Sequence, residues 1–358
     1  MARAATATIN LNAIRHNYRL AKSVAPEQQA LAIIKANAYG HGAIDVANAL
    51  SDDADGFGVA CIEEAVELRQ AGIDLPILLL EGFFSADELP LISELNLWCA
   101  VHSLEQIEII AQTELPKSIT IWLKMDSGMH RLGISHDKYN AAFQKLSTLA
   151  QVESVVLMSH FSSADEPELC TTAKQIKVFD DTTKHLNAPV SLANSAATLE
   201  FTDARRNWQR PGIMLYGASP FCAPQALADQ LQPALTLSSE IIAVREIQPG
   251  ESVGYSATWT SDTATRVGTV AIGYADGYPR HAKSGTPVLV NGHKSNIIGR
   301  VSMDMLCVDL TDIPDAGVGS YVELWGENLL ATEIAHHCDT ISYTLFTGIT
   351  RRVHKKYI

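Results

Sequence analysis

Short apolar runs separated by segments of helical spacing fill the first two-thirds of the chain. The runs are LAIIK (31–35), GFGVA (56–60), ILLLE (77–81), LWCAV (97–101), SITIWLKM (118–125), SVVLMSH (154–160), VSLAN (190–194) and GIMLY (212–216). Each has the length and continuity of a strand buried on both faces. Between them apolar residues recur every three or four positions, as from Ile62 to Ala71 and from Ser103 to Gln112, the pattern of helices laid against a sheet. Strands and helices alternating in this way, joined by right-handed crossovers, predict an α/β fold: an N-terminal (β/α)8 TIM-type barrel. No run leads into a G-x-G-x-x-G turn, which disfavours a doubly wound dinucleotide-binding sheet. Beyond about residue 235 the pattern becomes one of strands with close turns: LTLSSEIIAVREI, ATRVGTVAIGY, PVLV, HKSNIIGR, MLCVDL and YVELWG, with Pro249-Gly250 and Asn291-Gly292 between runs. Glycine use shifts with it, from 10 in residues 1–234 to 12 in residues 235–358. The expected division is a barrel over residues 1–232 and a C-terminal mostly-β domain over 233–358, closed by short helical pieces near Thr332 to His337 and Phe346 to His354.

Composition narrows the function classes. Of 358 residues, 47% are hydrophobic and 19% charged, enough apolar material for a core and too little charge for a disordered chain. Asp and Glu number 40 against 27 Lys and Arg, a formal charge of −13, which argues against a nucleic-acid partner or an anionic membrane surface. The N-terminal segment lacks the apolar run of a secretory signal, and the longest apolar stretch, Leu75 to Leu80, contains a proline and is too short to span a bilayer. A cytoplasmic location is expected. Cys61, Cys99, Cys170, Cys222, Cys307 and Cys338 show no CxxC or C…H spacing, so they are expected to be buried reduced thiols, with no metal site.

A barrel carries its chemistry at the C-terminal ends of its strands. Lys35 ends the first run, Lys124 and Arg131 border the end of the fifth, His160 ends the sixth, Ser195 follows the seventh, and Arg210 precedes the eighth. Lys35 follows four apolar residues, so it is either paired with a carboxylate or a desolvated amine poised to form an imine. In the fifth run Ser118, Thr120, Trp122, Lys124 and Asp126 alternate with Ile119, Ile121, Leu123 and Met125, which aims Lys124 into the barrel. Two cations there need an anion: Asp126, another carboxylate, or a modification of Lys124 itself. Ser195 suits either a phosphate site at a helix N-terminus or a plain N-cap. Arg210, before a proline, is held extended at the rim. An amine, a phosphate cradle and inward arginines on one barrel mouth suggest pyridoxal 5′-phosphate (PLP).

The segments carrying these residues resemble those of alanine racemases. AIIKANAYGHG resembles the cofactor-lysine motif of that family, and MDSGMHRLG, MSHFSSAD, ANSAATL, RPGIMLYG, VGYSATW, IGYADGY, GRVSMDM and ISYTL follow in the family's order from Lys35 to Tyr343. The resemblance implies a PLP-binding barrel and β domain in a homodimer with shared active sites, racemising alanine and supplying D-alanine for peptidoglycan. Lys35 then holds the cofactor and is one acid/base, and Tyr255, reaching the partner's site, is the other. Tyr39, Ser195, Gly212, Ile213 and Tyr343 are implied cofactor contacts, mostly to the phosphate; Arg210 faces the pyridine nitrogen beside His160. Arg131 meets the phenolic oxygen and, with Met303 from the partner, the substrate carboxylate. Lys124 matches a position that some members carry as a carbamate, and Asp165, Arg280 and Arg300 match residues lining the entrance. A broader amino-acid racemase, a PLP-barrel decarboxylase and a non-catalytic PLP carrier are the alternatives; the Tyr255 and Arg210 segments and the β domain weigh against the last two.

Overall fold

The structure is a computed structural model and describes residues 3–358. Eight parallel strands form a closed barrel: β2 (Gln29–Ile33), β3 (Gly56–Val59), β4 (Ile77–Leu79), β5 (Leu97–Val101), β6 (Ile119–Asp126), β8 (Val152–Met158), β9 (Val190–Ser191) and β10 (Trp208–Gln209). A β5–β6 pairing completes the circle, and a short strand β7 (Ile134–Ser135) lies beside the end of β6. Trp98, Trp122 and Trp208 come from β5, β6 and β10, yet their ring centroids lie 5.3 to 5.8 Å apart. Because β10 is not a neighbour of β5 or β6, these indoles meet across the barrel interior. Lys124, two residues beyond Trp122, therefore points into the same interior nearer the C-terminal mouth.

The helices follow their apolar spacing, Ile62–Gln70 and Leu104–Gln112 among them. Ser103 caps the second by accepting from the Gln106 amide. The eighth strand differs from expectation. GIMLY forms a buried 3-10 turn, Ile213–Tyr216, while the strand is β10, ahead of it. Pro211 has no amide to donate to a ladder, and the Gly212 amide is taken by Ser195 Oγ at 2.8 Å. Arg210 consequently follows the eighth strand rather than preceding it, and stands at the mouth with the other strand-end residues.

The second unit is built around the long strand β11 (Leu235–Ile247), followed by the hairpin β12 (Ser252–Val253) and β13 (Trp259–Thr260), whose Val253 packs against Val267 and Ile298. Its main sheet continues through β14 (Thr265–Val270), β15 (Pro287–Val290), β16 (His293–Asn296), β17 (Leu306–Asp309), β18 (Tyr321–Trp325) and β19 (His354–Tyr357). Asn291 and Gly292, with φ of 49° and 83°, form the tight turn between β15 and β16, as the dipeptide predicts. Two segments depart from expectation. The first strand, β1 (Thr6–Ile9), pairs with β11 and β19 rather than joining the barrel. The chain's end is not a helix through His354: the helix is Ser342–Gly348, and β19 is extended because β1 offers it a parallel ladder. All six cysteines are free, but only Cys99 and Cys338 are buried; Cys170 and Cys222 are exposed. Among the described residues no helix is long and apolar enough to cross a membrane.

Candidate active site

Lys35 lies two residues past β2 and opens a turn in which Ala36, Asn37, Ala38 and Tyr39 all have φ between 50° and 53°. Left-handed helical geometry costs roughly 1–2 kcal/mol per L-residue, so the surroundings must impose it. They do so with hydrogen bonds: Gly40 N to Ala36 O at 3.0 Å, Gly42 N to Asn37 O at 2.9 Å, and Ala43 N to Asn37 Oδ1 at 2.8 Å. Glu64 accepts from the Ala36 and Ala60 amides at 2.6 and 2.7 Å. Gly40 is left-handed as well, and a Cβ there would lie 2.2 Å from Phe346 O. The turn is thus pressed against the helix Ser342–Gly348 of the second unit.

The turn aims Lys35 and Tyr39 into a cavity of about 650 Å³ at the barrel mouth. Lys124, Arg131, His160 and Arg210 line the same cavity, as do Ser195, Gly212, Ile213 and Tyr343. Arg210 is 4% exposed and is surrounded by acceptors. It donates to Ser191 Oγ at 2.5 Å, Ser159 O at 2.6 Å and Leu192 O at 3.2 Å, and faces His160 Nδ1 at 3.5 Å. Burial lowers its pKa to about 10, so it remains a cation at neutral pH. His160 is held well below its ordinary value by burial and then by Arg210, Lys124 and Arg131, which keeps its ring neutral. Burial and the charges of Arg210, Arg131 and Lys35 bring Lys124 down to about 8.

Asp126 does not answer Lys124. Its carboxylate accepts from the Gly128 and His130 amides and from His130 Nδ1 at 2.8 Å. Among the residues lining the cavity the single carboxylate is Glu81, at the end of the run ILLLE. Glu81 ends its run as Lys35 does, yet it is missing from the strand-end residues singled out from the sequence; Asn37 carries no comparable signal, because its part is to hold backbone.

Ser195 Oγ accepts from the Gly212 and Met214 amides, leaving its hydroxyl proton free for a ligand. Asn194, not Ser195, caps the following helix, accepting from Ala197 N at 3.0 Å. A Cβ on Gly212 would stand 2.8 Å from Tyr39 Oη, so this glycine makes room for that hydroxyl. Tyr39 lies 5.7 Å from Tyr343 between ring centroids. Burial, then nearby Asp165, pushes Tyr343 up to about 12, and burial keeps Tyr39 protonated too. Both therefore present O–H donors.

Tyr255 and Met303 do not line this cavity; they stand 67% and 53% exposed on the second unit. Tyr255 rides the β12–β13 hairpin, in a turn where Gly254, Ser256 and Ala257 all have positive φ. Arg280 and Arg300 line a separate cavity of about 430 Å³ with His281 and Lys283. Asp165 is exposed after β8.

Comparison with known proteins agrees over the whole chain. The family model described as "Alanine racemase, N-terminal domain" matches residues 9–220, and "Alanine racemase, C-terminal domain" matches 234–357. The chain is 56% identical over 356 residues to an alanine racemase of Pseudomonas taetrolens, covering 99% of both. It is 55% identical over 356 residues to a catabolic alanine racemase of Pseudomonas putida, again covering 99% of both. The crystal structure of a biosynthetic alanine racemase from Pseudomonas aeruginosa superposes with a TM-score of 0.97 at 48% identity, covering 99% of each chain.

Proposed function

The chain belongs to the alanine racemase family and is an isomerase of that kind, and from that premise we propose that it interconverts L- and D-alanine on PLP with two bases, Lys35 of one subunit and Tyr255 of the other, in a homodimer. The donor set suits the cofactor: a primary amine, the hydroxyls of Tyr39, Ser195 and Tyr343, and the cations Lys124, Arg131 and Arg210 face one carboxylate in one cavity. An anionic phosphate and a phenolic oxygen need such an excess of donors. Gly212 supports the phosphate end, since a side chain there would displace Tyr39 Oη. When bound, PLP supplies an aldehyde for the amine and an electron-accepting ring that acidifies the α-C–H of an attached amino acid.

The protein's own part is to orient and to move one proton. Lys35 is held by the left-handed turn on one side of the site and exchanges the α-proton there. Arg210 can donate but not accept, and its bed of carbonyl and hydroxyl oxygens keeps it charged, so it would hold a cofactor ring nitrogen placed against it unprotonated. Arg131 and the partner's Met303 bind the substrate carboxylate. Lys124 is the carbamate-forming position that faces Arg131, its amine brought near neutrality at about pH 8. In the dimer Asp165, Arg280 and Arg300 would line the way in, although in the single chain the two arginines line a cavity of their own; the boundary near residue 232 separates the lysine's domain from the tyrosine's. Two enantiomers have equal free energy, so the same site runs toward D-alanine for peptidoglycan or toward L-alanine for breakdown according to which is supplied.

The observation that carries this reading is that Lys35 and the buried Arg210 share one cavity while Tyr255 stands exposed outside it. The test is α-proton exchange in heavy water. Tyr255→Phe should slow exchange from L-alanine by on the order of a hundredfold or more, with D-alanine far less affected. Equal losses for the two enantiomers would overturn the assignment of faces.

A further inference from the structure

His41 lies outside every role assigned above, yet it is 0% exposed and sits directly behind the lysine turn. Its Nδ1 is 3.1 Å from Ala38 O and 3.0 Å from Tyr39 O. Carbonyl oxygens only accept, so Nδ1 carries the proton and Nε2 is left as a buried acceptor with no partner among the described residues. An unpaired buried acceptor costs stability, so its retention calls for a compensating use of the ring. That ring lies tilted against Tyr216 at 4.4 Å between centroids and meets Phe346 nearly edge-on at 5.2 Å. Tyr216 also stacks on Tyr39 at 4.8 Å and donates to Ile33 O, the last residue of β2, at 2.9 Å. The ring thus joins the left-handed turn, the end of its strand and the helix of the second unit.

We propose that His41 is a positioning residue for the cofactor lysine: its Nδ1–H, donated to the Ala38 and Tyr39 carbonyls, locks the left-handed turn that aims Lys35 and Tyr39 into the same cavity. The consequence for cofactor capture rests on the proposed function; the effect on the turn does not. His41→Phe keeps the ring contacts and removes the donor, His41→Asn restores an N–H at the Nδ1 position, and His41→Gln places one beyond it, at the Nε2 position.

Two readouts are taken on the full chain: amide hydrogen exchange at Gly40 and Gly42, and the visible absorbance change on adding PLP to cofactor-free protein. In H41F, exchange at these amides should accelerate and PLP capture should slow, each by about tenfold. H41N should recover both to within about threefold of wild type. Unchanged exchange in H41F, or H41N behaving like H41F, overturns the proposal. Should H41F fail to fold, the comparison passes to H41N and H41Q: faster exchange in H41Q alone supports the lock, and equal exchange overturns it. If the wild type captures no PLP, the functional reading fails, while amide exchange still decides the role of His41.

Discussion

Lys124 is a buried cation surrounded by cations. It is 8% exposed and faces Arg210, Arg131 and Lys35 with only Glu81 opposing them. Its pKa falls from 10.5 to about 8, so below pH 8 the folded state holds a charge that the unfolded chain holds more comfortably. A shift of that size is worth about 3 kcal/mol. Stability should therefore rise as pH climbs from about 8 toward 10.5, where the unfolded chain still binds the proton and the folded protein does not. Lys124→Met should stabilise the cofactor-free, carbonate-free protein at pH 7 by roughly 1–3 kcal/mol, with the gain fading above pH 8. Added bicarbonate should stabilise the wild type by forming the carbamate and leave K124M unmoved. Chemical denaturation across pH, with and without bicarbonate, reads both; a destabilised K124M without carbonate contradicts the charge account. Alternation along β6 was enough to aim Lys124 inward from sequence. Its counter-charge was only partly legible: Glu81 stands at the end of a run, but Asp126 is turned away by the Gly128 and His130 amides, and no local pattern reveals that.

Two turns do much of the work that strands do elsewhere in the barrel. The left-handed turn after β2 and the 3-10 turn after β10 meet where Gly212 faces Tyr39 Oη. Gly212→Ala should weaken PLP binding by roughly tenfold, because the buried Tyr39 ring, stacked on Tyr216, has little room to retreat. Tyr39→Phe removes the clashing oxygen, so G212A on the Y39F background should cost much less; PLP titration of all four proteins makes a double-mutant cycle. Independent, additive losses would show that the close approach is unimportant. The same two turns mark the limit of reading elements from pattern. Apolar continuity alone made GIMLY look like a strand, whereas Pro211 and the hydroxyl of Ser195, seventeen residues away, make it a 3-10 turn. Asn291-Gly292 was legible because the turn lies in the dipeptide itself. β1 and β19 were not, because β1 is a strand only beside β11, and β19 only beside β1.

At the scale of the molecule, a chain of charge −13 gathers cations where its anionic ligands would bind, and the acidic excess lies elsewhere. In the proposed dimer the second unit of one chain completes the site of the other from outside. Both chain ends converge beneath the loop that presents Met303: Arg3 donates to Asp276 Oδ2 at 2.5 Å and Asp304 O at 3.0 Å, and Arg352 donates to Asp304 Oδ1 at 2.6 Å. The loop is braced, yet Met303 and Tyr255 point to solvent in the single chain. The most direct test of a site shared between subunits is complementation. K35A and Y255F chains, each inactive alone, are mixed and allowed to exchange subunits. Half the dimers are then hybrids with one intact site, so roughly a quarter of wild-type racemase activity should return. Full subunit exchange with no recovery of activity would contradict a site built from Lys35 of one chain and Tyr255 of the other.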